Sequence, residues 1–133
     1  MIELVVALAA TVAALGAVVW SGLSRRRHLH YALVVVFLAA LALAIRLAER
    51  YGRGLLFEGP AATVRSIHMV VVTATFIALF IVTVTGIRLA KSQGETAAAR
   101  RPPHRVAAIV FVVLVLLTSA LGTAMTVLAQ RAE

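Results

Sequence analysis

The sequence contains no cysteine. Disulfides, thiolate metal sites, iron–sulfur ligation and haem attachment through thioethers are therefore excluded. Acidic residues are nearly as scarce, with 5 Asp and Glu against 13 Lys and Arg. The glutamates fall at the ends of the chain and in its loops, so no pair of carboxylates is placed to work as acid and base, and none sits mid-membrane to couple an ion. No Gly-rich phosphate loop, nucleophile elbow or metalloprotease pattern is present. The reading is of a protein that is not an enzyme.

Polar surface is also missing. Of 133 residues, 62% are hydrophobic and 14% charged, and the mean hydropathy is +1.03. A water-soluble domain needs far more polar surface, so the solvent of most of this chain is lipid. A spanning helix takes roughly 20 apolar residues. Four such stretches fill the sequence, at about 2–23, 31–48, 60–90 and 103–129. The expectation is an all-α integral membrane protein, an up-down-up-down four-helix bundle forming one transmembrane domain over 1–133, because short linkers force neighbouring helices antiparallel. Pro60, Pro102 and Pro103 suit first helical turns, where a missing N–H costs little. The first apolar run has Glu3 and no Lys or Arg before it, which reads against a secretory signal.

The cationic excess, a formal +8, points first to anionic lipid at the loops and not to nucleic acid. Arg25, Arg26 and Arg27 occupy the first loop; Lys91, Arg100 and Arg101 occupy the third, flanked by Arg88 and Arg105. The second loop has Arg50 and Arg53. This bias places loops one and three in the cytoplasm and both termini outside, in a multi-pass protein of the cell's inner (plasma) membrane. Trp20, Tyr31 and Tyr51 fall near helix ends as interfacial anchors, and Arg46 and Arg88 are close enough to helix ends to snorkel.

Chemically eventful residues reduce to His28, His30, His68 and His104. His68 precedes Gly86, and His104 precedes Gly122, by 18 residues, about five whole turns, so each His shares a helix face with its Gly. Thr75 lies on the first of these faces, with Thr118 and Thr126 close to the second. Stripes of small and hydroxylated residues face other helices in a membrane, so His68 and His104 are expected to point inward. Packing is the commoner role for such Gly and Thr residues. His28 and His30 are two apart, so at most one faces inward if that stretch is helical. A single cytoplasmic-side site is then expected to gather His104, one of His28 or His30, and Gly86. It would suit a b-type haem held by two imidazoles, with Gly admitting the macrocycle and arginines meeting its propionates. It would also suit copper held by two or three imidazoles drawn from His104, His28 and His30. The opposite side has His68 with Gly122 and no second imidazole. The plain alternative is that the histidines are interfacial residues and no cofactor is bound.

Several short segments resemble a known family. Arg26-Arg27-His28 precedes helix two, Phe57-Glu58-Gly59 and Val64-Arg65-Ser66 bracket the start of helix three, His104-Arg105 opens helix four, and Ser119 and Gly122 come late in it. In this order they are similar to the small four-helix bacterial membrane proteins that assist cytochrome c oxidase assembly, the YozB or CtaM type. The likeness covers about 25–128. Thr75 stands where that family typically carries a further histidine, and a plain Val/Leu run replaces its tryptophan-rich, proline-containing last helix. The resemblance implies an accessory or assembly protein of a respiratory complex, partnered by the bilayer and by other membrane subunits, handling haem or copper through histidines. The alternatives are a small b-type cytochrome with one bis-His haem and a purely structural membrane subunit.

Overall fold

The computed structural model describes residues 2–24 and 26–131. Helix α1 spans Ile2–Leu23, α2 Arg27–Gly52, α3 Pro60–Ala90 and α4 Gly94–Leu128, with two-residue extended segments β1 (Leu55–Leu56) and β2 (Gln130–Arg131). The shortest helix, α1, has 22 residues, which at about 1.5 Å per residue is roughly 33 Å, enough to cross a hydrocarbon core. All four helices have the length and apolar composition to span a membrane. The all-α expectation holds.

Helices α3 and α4 are rich in Val, Ile and Thr, which in water lean toward strands. Lipid reverses that preference, because a helix satisfies every amide within itself and no open strand can. The hydroxyls obey the same constraint. Thr11 donates to the Ala7 carbonyl, Thr75 to Val71, Ser119 to Val115 and Thr126 to Gly122, all at 2.7–2.9 Å.

The chain divides into two compact units, residues 1–56 with 131–133, and residues 57–130. The first holds the α1–α2 hairpin and the second the α3–α4 hairpin. In the first, the His30 amide donates to the Arg26 carbonyl at 2.9 Å, which closes a turn ahead of Tyr31. Helix α2 therefore starts at Arg27, four residues before the expected position, and it runs on to Gly52. The Arg26 guanidinium lies 5.3 Å from the centre of the Trp20 ring. Arg25 lies outside the described residues.

In the second unit α3 begins at Pro60 as expected. Gly59 supplies the left-handed turn before it, with φ +51°, a conformation costly for residues with a Cβ. The start of α4 differs from expectation. It begins at Gly94, not near residue 103, and Pro102 and Pro103 lie inside it. Each proline removes the donor for a carbonyl one turn back, those of Ala98 and Ala99. The preceding turns are held all the same. Ala97 and Ser92 are buried, and Arg100 Nη1 donates to the Arg88 carbonyl at 3.0 Å and to Ser92 Oγ at 2.8 Å. A guanidinium at the carbonyl end of α3 also complements that helix's dipole. Tertiary docking thus outweighs the proline signal and shortens the third loop to Lys91–Gln93.

Large apolar side chains face outward along these helices. Val70 and Phe80 are each 70% exposed, the pattern required when lipid is the solvent.

Candidate functional site

Each hairpin is closed along a seam that advances mostly in steps of seven residues. On α2 the seam runs His30, Phe37, Ala44; on α3 Ala61, His68, Thr75; on α4 Ala97, His104, Phe111, Thr118. A repeat of about seven keeps one edge of a helix against an antiparallel neighbour. Phe37, Ala44, Ala61, Ala97 and Phe111 are buried.

Within these seams every inward histidine meets a glycine on the facing helix. Cε1 of His104 is 3.1 Å from the point where a Cβ on Gly86 would sit. Cε1 of His68 is 3.2 Å from the same point on Gly122, and Cε1 of His30 is 3.4 Å from that on Gly22. The 18-residue spacing on α3 and on α4 thus has a physical meaning. Antiparallel packing lays the His of each helix on the Gly of the other, once at each end of the hairpin. Between the two ends, Thr75 Oγ1 and Thr118 Oγ1 are 2.8 Å apart. Thr75 already donates to Val71, so Thr118 is the donor across the seam.

Two of these imidazoles have their proton position set by what they touch. His30 Nδ1 is 3.1 Å from the Val18 carbonyl and 3.2 Å from Ser21 Oγ. A carbonyl only accepts, and Ser21 itself donates to Val18 O at 2.8 Å, so His30 carries its proton on Nδ1. His104 Nδ1 is 3.2 Å from Thr85 Oγ1. The Thr85 hydroxyl also faces the Ile81 and Val82 carbonyls, at 2.9 and 3.1 Å, an arrangement that suits His104 Nδ1 as the donor. In a neutral ring the basic lone pair then belongs to Nε2. His68 is different. Its Nδ1 is buried without a hydrogen-bond partner.

The expected site residues are therefore distributed as follows. His104 and Gly86 come together, as do His68 and Gly122. Of the pair on α2, His30 turns into the α1–α2 seam, whereas His28 is exposed. Ser21, Gly22 and Thr85 take part without having been singled out. The seven-residue step from His30 to Phe37 and Ala44 is the sequence signal that separates His30 from His28.

A bis-imidazole haem does not fit inside either hairpin. His68 and His104 lie at opposite ends of the α3–α4 seam, separated by the 18-residue spacing, roughly 27 Å along the axis. The α1–α2 seam holds His30 alone. The glycines expected to admit a macrocycle are already covered by imidazole edges. Among the described residues no group of three or more His, Cys, Asp or Glu is placed to hold a metal ion. What the α1–α2 seam does offer is an imidazole whose Nδ1 faces a backbone carbonyl, the arrangement in which a histidine ring presents Nε2 to a metal.

The end of the second hairpin is strongly cationic. Arg88, Lys91, Arg100, Arg101 and Arg105 are exposed there, with Glu95 as the nearby acid. At the other end of α3 the Arg65 guanidinium stacks 4.9 Å from the centre of the Phe57 ring, which joins two of the short segments quoted above for the resemblance.

Comparison of the chain with protein-family models, with curated proteins and with solved structures gives no match.

Proposed function

We propose that this chain is a non-catalytic accessory or assembly subunit of a respiratory, cytochrome oxidase-type complex, seated in the inner membrane with its α1–α2 and α3–α4 turns toward the cytoplasm. One observation carries the accessory role. His30, His68 and His104 close the seams of their own hairpins against Gly22, Gly122 and Gly86, and long apolar faces turn outward. Such a protein acts through helix contacts in the bilayer. The respiratory setting is supported by the resemblance of Arg26-Arg27-His28, Phe57-Glu58-Gly59 and His104-Arg105, and the orientation by loop charge. Purification from native membranes under mild detergent tests this reading. Respiratory-complex subunits are expected to accompany the chain. Recovery of the chain alone contradicts it.

A second reading, handling of haem b or copper, is favoured by the proton positions at His30 and His104. Either imidazole would bind metal through Nε2, with the remaining ligands supplied by a partner subunit. A reduced-minus-oxidised visible spectrum together with metal analysis separates the readings. A Soret and alpha band marks a cytochrome, copper without haem marks copper handling, and neither signal leaves the accessory role through helix contacts alone.

A further inference from the structure

An open groove of about 460 Å³ runs along one edge of the α3–α4 hairpin. Ala78, Ile81, Val106 and Val110 line its apolar length, and Thr85 and Pro103 its upper end. Small residues make it. Ala78 on α3 and Ala107 on α4 leave a furrow between the larger side chains on either side. The groove belongs to a single hairpin and needs no other element to form.

Its upper end is not apolar. Arg88 follows Thr85 by three residues and Arg100 precedes Pro103 by three. Positions about one turn apart share a helix face, so both cations continue the two walls beyond the groove. Both are exposed. Arg100 is held in place by its bonds to the Arg88 carbonyl and Ser92 Oγ, which ties the two positions together. Arg88 directly follows the long apolar stretch of α3, and Pro103 opens that of α4. The cations therefore stand at headgroup level with the groove descending into the hydrocarbon.

We infer that this groove is a binding site for an anionic phospholipid, its acyl chain in the furrow and its phosphate between Arg88 and Arg100. Charge complementarity decides the occupant. A zwitterionic lipid fills the same furrow, but its ammonium gains nothing from two guanidiniums, while a net negative headgroup does. A juxtamembrane cation near an anionic headgroup contributes about 1 kcal/mol, so two such cations correspond to a preference of about thirtyfold.

Native mass spectrometry of the full chain in mild detergent tests this, with dioleoylphosphatidylglycerol and dioleoylphosphatidylcholine added at equal concentration. Phosphatidylglycerol adducts are expected to exceed phosphatidylcholine adducts about thirtyfold. Arg88→Gln with Arg100→Gln should abolish the preference, and Ala107→Phe, which fills the furrow and leaves both cations, should weaken adducts of both lipids. Arg50→Gln with Arg53→Gln, on the first hairpin, should change neither. Equal adducts in the unmodified chain overturn the inference. So does a preference that survives both groove variants, one that is lost with Arg50 and Arg53, or one displaced by inorganic phosphate.

Discussion

The imidazole of His104 rests on Gly86 so closely that a Cβ there would lie 3.1 Å from Cε1, and His68 repeats the arrangement on Gly122 at the far end of the same two helices. The α3–α4 hairpin is thus fastened at both ends by one device used in opposite directions.

Adding a methyl group tests that device. Gly86→Ala and Gly122→Ala should each destabilise the protein by about 1–3 kcal/mol, since neither neighbour can retreat without moving a ring packed between helices. Gly22→Ala should be close to neutral, because its contact of 3.4 Å is ordinary. Gly16→Ala meets nothing within 4 Å and should gain about 0.5–1 kcal/mol from helix preference alone. Unfolding by a denaturing detergent in mixed micelles measures the ranking. Equal effects at Gly16 and Gly86 would contradict it.

The proton positions are equally testable. Imidazole ¹⁵N chemical shifts of the neutral ring form should report a protonated Nδ1 and a bare Nε2 for both His30 and His104. The reverse tautomer at His30 would mean that the Val18 carbonyl is not its acceptor. Thr85→Val should relax the preference at His104 and leave His30 unchanged.

Lipid-spanning helices were legible because twenty apolar residues in a row have few other solutions, and the ends of α1 and α3 fall where Leu23, Pro60 and Ala90 placed them. The matched 18-residue spacings from His68 to Gly86 and from His104 to Gly122 correctly marked inward faces. Those spacings lie along one helix, however, and packing is a relation between two. Only the antiparallel register shows that each glycine receives the other helix's histidine. The start of α4 at Gly94 differs from the position that Pro102 and Pro103 suggest for a similar reason. Pro102 and Pro103 are strong local signals, whereas the docking of Arg100 on Arg88 and Ser92 is tertiary. His30 was separable from His28 by its seven-residue step to Phe37, a period that the three arginines before it obscure.

The threonine pair at mid-seam offers a third prediction. A double-mutant cycle with Thr75→Val and Thr118→Val should yield a coupling of about 0.6 kcal/mol, within the range found for hydrogen bonds between membrane helices. Zero coupling would place the two hydroxyls apart.

The turns ahead of Pro102 give a fourth. Arg100→Gln or Ser92→Ala should free residues 94–101 from the end of α3. Amide exchange there should accelerate in either variant, while exchange within 106–128 stays protected by lipid and packing. Unchanged exchange in both variants would show that the prolines' surroundings, and not Arg100, hold this segment.

Cross-linking tests the central claim most directly, and the chain's lack of cysteine makes it free of background. Gly86→Cys with His104→Cys, and Gly122→Cys with His68→Cys, should each oxidise to an intramolecular disulfide in membranes, visible as a mobility shift at monomer mass. His104→Cys with Gly122→Cys, on one face of one helix, should not. No cross-link in either facing pair, or cross-links found only between separate chains, would contradict the register on which the two-ended histidine–glycine seam depends.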